Sequence, residues 1–174
     1  MRAALIDALS IIALLGGAAL CAAAPIPSDA QNALNFVLAT CQDSADNLAA
    51  VAQLAKQRDW TSMLDPTVPE KGPLKVDGIW LVRQNGQSYT VSTGIGPRGK
   101  TTCEIGFISP KPRREDFLAA AASAVTLTNL VDQASPSFRL EMYRIENLAP
   151  KNVVLQLATS PDGAVFEASV IGPP

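Results

Sequence analysis

The chain has 174 residues, with 14 Lys and Arg against 16 Asp and Glu, a net charge of −2 and no histidine. So even a balance sets up no global field to steer a polyanion or grip an anionic surface, and nucleic acid is not an expected partner. Without histidine, Ser-His-Asp and Cys-His catalysis and imidazole-based zinc sites are excluded, leaving carboxylates as the plentiful acid and base groups.

Met1-Arg2, an Ala/Leu/Ile-rich run from Ala8 to Leu20, then Cys21-Ala22-Ala23-Ala24 with Pro25 and Pro27 behind it, follow the order of a secretory signal peptide. The apolar run falls short of the roughly 20 residues of a membrane helix, so no stable span is expected after cleavage. Small-x-small cut signals stand at Ser28-Asp29-Ala30 and at Cys21-Ala22-Ala23, whereas Pro25 disfavours a cut after Ala24. Lipidation at Cys21 is the lesser alternative, because the bulky Leu20 stands before it where a small residue is expected. A cut after Ala30 makes 1–30 the signal peptide and 31–174 a single exported domain, periplasmic or extracellular. Cys41 and Cys103 remain, and an even pair in an exported chain predicts a disulfide, with two buried thiols as the alternative.

Along the mature chain, Leu34, Val37, Leu38 and Cys41 recur at the spacing of one helical face. Asp43 to Asp46 then reads as a fresh helix start, with Leu48, Val51, Ala52 and Ala55 as its apolar stripe and an end near Arg58. Trp60 and Met63 are expected to pack beneath that end, before a proline-bearing loop. Strands are predicted near 75 to 84 and 87 to 93 around Asn85-Gly86, a dipeptide suited to a tight hairpin turn. Another follows at 100 to 108, with Cys103, Ile105 and Phe107 on one face. A third helix runs from about Pro112 to Val125, with the acids Glu115 and Asp116 in its first turn. Its far end is ambiguous, because Thr126, Thr128 and Val131 also suit extended chain. Three more strands follow: Phe138, Leu140 and Met142 alternate with Arg139 and Glu141, and two further apolar runs flank Ser160-Pro161-Asp162-Gly163. The expected fold class is therefore α+β, an antiparallel sheet of about six strands in the order α-α-βββ-α-βββ with the helices packed on one face. The order repeats without repeating residues.

The stretch Gly94-Ile-Gly-Pro-Arg-Gly-Lys-Thr101 matches the phosphate-cradling pattern G-x-x-x-x-G-K-[ST]. A working loop of that kind needs a helix immediately after it, but the residues from Thr101 alternate as a strand and Pro97 removes an amide donor. No nucleotide is expected. No S-x-x-K or G-x-S-x-G occurs, and Asp43 with Asp46, like Glu115 with Asp116, is explained by helix capping. No catalytic residue, cofactor or metal is assigned. Arg98 and Lys100 at one end of a strand, and Lys111, Arg113 and Arg114 at the other, are candidate interaction residues that do not form one patch. Trp60 and Trp80 read as core, with Trp80 a further interaction candidate in the alternative that it is a strand anchor exposed opposite Ile79 and Leu81. These features together predict a small exported, non-catalytic binding protein whose partner is a protein, recruited at sheet edges or an exposed sheet face. The competing reading is a carboxylate-dependent hydrolase of the cell envelope, marked by two converging acids of raised pKa in a deep pocket.

Overall fold

The computed structural model describes residues 28–42, 47–64, 75–96, 99–147 and 153–172. Helix α1 (Ser28–Cys41) buries Ala33, Leu34, Val37 and Cys41 along one stripe. Helix α2 (Leu48–Gln57) is capped by Asn47, whose side-chain carbonyl accepts the Ala49 amide at 3.1 Å. The helix start expected at Asp43 to Asp46 lies outside the described residues. Strands β1 (Thr61–Ser62), β2 (Lys75–Gln84), β3 (Gln87–Ile95) and β4 (Thr101–Ser109) follow, then α3 (Arg114–Ala124). Strands β5 (Leu127–Ala134), β6 (Arg139–Ile145), β7 (Val154–Thr159) and β8 (Phe166–Ile171) complete the described chain.

All eight strands form one antiparallel sheet in the order β1-β2-β3-β4-β8-β7-β6-β5. This overturns the expected six strands in the order α-α-βββ-α-βββ. The two additional strands are the sheet edges. β1 is two residues long, too short for any alternation to register. β5 exposes six of its eight residues, so it carries no buried face for a period of two to reveal. The β-branched run after α3 goes into this strand. Its start is pinned where the Thr126 amide donates to Asn147 Oδ1 at 2.8 Å.

The register makes the earlier repetition of order explicit. β5, β6, β7 and β8 begin 66, 64, 67 and 65 residues after β1, β2, β3 and β4. Each set of four strands follows helix, so the chain is a helix-plus-four-strand unit used twice, joined through the central β4–β8 pair.

All three helices contribute to the core on one face of the sheet. Phe36 of α1 stacks on Tyr89 of β3 at 4.1 Å, while Phe117 of α3 meets Phe107 of β4 and Phe166 of β8 at 5.7 and 5.4 Å. Trp60 extends this chain of rings to Trp80 at 6.5 Å. Seven of the nine aromatic side chains are thereby spent on the core, in tilted and stacked contacts that add to their area burial. Cys41 and Cys103 join α1 to the inner face of β4 as a disulfide with Cα atoms 5.5 Å apart. Met63, expected beneath α2, is instead 54% exposed; its amide donates to the Ile79 carbonyl at the edge.

Candidate functional site

Side chains alternate across a strand, so every residue that does not face the helices faces the opposite side of the sheet. Cross-strand pairing places Ile79, Ser92, Glu104, Ser169, Gln156, Met142 and Val131 in one row across that second face. Among the described residues no helix packs on it.

Strand β6 meets this face in an unexpected orientation. Alternation alone would send Phe138, Leu140 and Met142 to the core and Arg139 and Glu141 to water. The structure does the reverse: Glu141 is 1% exposed on the helix side, across from buried Leu157, and Leu140 and Met142 lie on the open side. Phe138, two residues before Leu140, is 48% exposed. Ile108, two residues beyond Gly106, and Val165, two before its partner Glu167, are exposed at the same end of the sheet. Three large apolar side chains thus stand in water along one end of the open face, from β4 to β6. They were missed because the polar-apolar alternation of β6 carries no sign of which set turns inward.

The inversion is stabilised by a charge network. Arg114, the first residue of α3, donates through Nε and Nη2 to the two oxygens of Glu141. The Tyr143 hydroxyl adds a donor at 2.8 Å, and Arg139 reaches the same carboxylate at 3.7 Å while pairing with Asp132 at 2.7 Å. Burial pushes the Glu141 carboxyl up, but the Arg114 and Tyr143 hydrogen bonds outweigh it and hold the group below the ordinary carboxylate range. The network is saturated, which suits a structural role.

At the centre of the open face stands Glu104, between Ser92 and Ser169 on the neighbouring strands and diagonal to Glu167. Burial first, then the Glu167 charge, raises its pKa above the usual carboxylate value, and hydrogen bonds from Ser169 and Ser92 oppose the rise. Two acids thus stand together on this face, but among the described residues neither lines the cavities at α3, at the β2–β3 hairpin or at the β1–β2 edge. Among the described residues no cluster of three His, Cys, Asp or Glu groups could hold a metal.

The other sequence candidates are dispersed. Lys100 is exposed just before β4, and Lys111 and Arg113 lie beyond its other end. Lys111 donates to the Ala164 carbonyl, and Arg114 is committed to Glu141. Lys111, Arg113 and Arg114 line a cavity of about 330 Å³ against the β7–β8 turn. Arg98 lies outside the described residues. Trp80 is no exposed anchor: it faces the helices, packs on Trp60 and covers Gly78, where an added Cβ would run into the indole. The phosphate-loop lookalike sits at the β3–β4 connection, where the Gly96 amide donates to the Lys100 carbonyl at 2.8 Å and strand follows instead of helix.

No helix of the described residues is long and apolar enough to cross a membrane. No protein-family model matches the chain, and neither the curated proteins nor the solved structures contain a significantly similar one.

Proposed function

We propose that this is an exported, disulfide-closed protein that acts by binding a protein partner on the open face of its sheet, with no catalytic step of its own. The observation that carries the reading is the inverted β6. A chain that buries Glu141 and turns Phe138, Leu140 and Met142 outward, beside Ile108 and Val165, gives up core burial to build an apolar surface. A partner strand or helix with a matching apolar face would recover that burial, while Glu104 and Glu167 favour a basic residue over the centre.

Export is part of the proposal, supported by the leader-like residues ahead of α1 and by the disulfide. Of the two cut signals, the one after Ala23 fits better. A cut after Ala30 would remove the first turn of α1, where Ala30 is buried and the Asp29 carbonyl accepts the buried Gln87 side-chain amide at 3.3 Å. Intact mass of protein from the exported fraction reads the position directly. A mature chain starting at Gln31 would contradict the earlier cut.

The binding claim is tested by placing a photo-crosslinking residue at Phe138, at Val165 or at Gln53, an exposed position on α2, in the protein's own cells. The proposal expects one discrete adduct from Phe138 and Val165 and none from Gln53. Equal adducts from all three, or none from the sheet positions, would reject it.

A further inference from the structure

We propose that the cleft around Arg58 binds the C-terminal carboxylate of a peptide. Arg58 caps the end of α2 and is exposed; among the described residues it forms no ion pair, and its one side-chain hydrogen bond runs from Nη1 to Gln84 Oε1 at 3.4 Å. It lines two cavities. On the helix side, about 200 Å³ is walled by Asn32 and Asn35 of α1, Gln84 and Asn85 of the hairpin, and the Phe36 and Tyr89 rings. On the strand-edge side, about 340 Å³ includes Trp60, Asp59 and a second cation, Arg83, also in no ion pair among the described residues.

Three features point to a peptide terminus. An unpaired guanidinium with a second one nearby favours an oxyanion, and its planar fork fits a carboxylate through two parallel hydrogen bonds. The carboxamides of Asn32, Asn35, Gln84 and Asn85 each donate and accept, which matches peptide groups and is wasted on a bare anion. The third feature is the sheet edge. β1 pairs with β2 only at Leu81 and Trp80, so β2 runs on to Gln84 without a strand neighbour on that side. The Met63 amide donates to Ile79, and by alternation the Arg83 backbone N–H and C=O face the same side, where one rung of an added strand can pair. Asp59 at the same edge repels an acidic side chain next to the terminus. This site is separate from the open face, and neither claim depends on the other.

The test is a titration of the ¹⁵N-labelled exported chain with tri-alanine as free acid, with tri-alanine amide and with sodium acetate, following the side-chain signals of Asn32, Gln84, Asn85 and Arg58. The free acid is expected to shift them saturably, with the amide and acetate at least about tenfold weaker, equivalent to about 1.4 kcal/mol. Arg58→Gln should weaken the free acid by about tenfold or more, whereas Lys56→Gln, at an exposed neighbour, should leave it within about twofold. No saturable shift with the free acid, equal binding of the amide or acetate, or an unchanged Arg58→Gln would overturn the assignment.

Discussion

Cys41, the last residue of α1, is bonded to Cys103 on the inner face of β4, one of the two strands at the middle of the sheet. Both residues are at most 1% exposed. The bond ties the first helix to the seam between the two helix-plus-four-strand units and closes a loop of 62 residues. In the chain-entropy account a loop of that size contributes roughly 4 kcal/mol. Cys41→Ala with Cys103→Ala should therefore lower the midpoint of thermal unfolding substantially. The native wild type should take up no thiol label until it is both unfolded and reduced. An unchanged midpoint would show that the bond adds nothing beyond the packing around it.

The Arg114–Glu141 pair predicts an asymmetry between single and double substitution. Glu141→Gln leaves a guanidinium that is 18% exposed with only the exposed Glu115 carboxylate, 3.3 Å from Nη1, as a charge partner, and should destabilise by about 3 kcal/mol. Arg114→Met with Glu141→Leu removes both charges and should recover much of that loss in chemical denaturation. The pH dependence has a definite sign. The folded-state pKa of Glu141 is depressed, so its contribution is present above the ordinary carboxylate value and is lost as pH falls through the lowered one. A Glu141→Gln variant should thus converge on wild type in stability under strongly acidic conditions.

Glu104 predicts the opposite sign. Its folded-state pKa is raised, first by burial and then by Glu167, so ionisation at neutral pH works against the fold. That penalty is absent below the ordinary carboxylate pKa and grows as pH rises through the raised value. Glu104→Gln should raise the unfolding midpoint at pH 7 and leave it unchanged below about pH 4. A lower midpoint at pH 7 would mean that the Ser92 and Ser169 hydrogen bonds outweigh the burial.

Gly78 lies under the Trp80 indole, which occupies the volume a side chain at 78 would need. Gly78→Val should displace the ring from Trp60, red-shift the tryptophan emission and cost roughly 1–3 kcal/mol as overpacking. An unshifted emission would place the Trp80 ring elsewhere in solution.

How much of this was legible in the sequence depends on whether the deciding interaction is local. Asn85-Gly86 announces its hairpin because both residues take positive φ, 52° and 75°, as the tight turn requires. The disulfide was expected from the even pair of cysteines, Cys41 and Cys103, that remains once the leader-like residues are set aside. The edges β1 and β5 were not legible, since a two-residue strand has no period and an exposed strand has no buried set. Nor was the orientation of β6. Its partner Arg114 stands 27 residues away from Glu141, and no local pattern reports that a carboxylate will be drawn inside by a charge on another element. The same gap hid the candidate face, because the burial of Glu141 is what turns Leu140 and Met142 outward. Arg58 escaped notice because its amide neighbours come from α1 and the β2–β3 hairpin, which only the fold assembles.

The central claim is that the open face carries a partner, and native size reports on it most directly. Wild type and a Phe138→Ser, Val165→Ser variant, both surface changes, would be compared in gently prepared extracts of the protein's own cells, with unfolding midpoint and disulfide state as controls for folding. The account predicts that wild type migrates in a larger complex and that the variant, equally stable and oxidised, runs at the size of the free chain. Identical migration of the two, either both in the complex or both free, would contradict it.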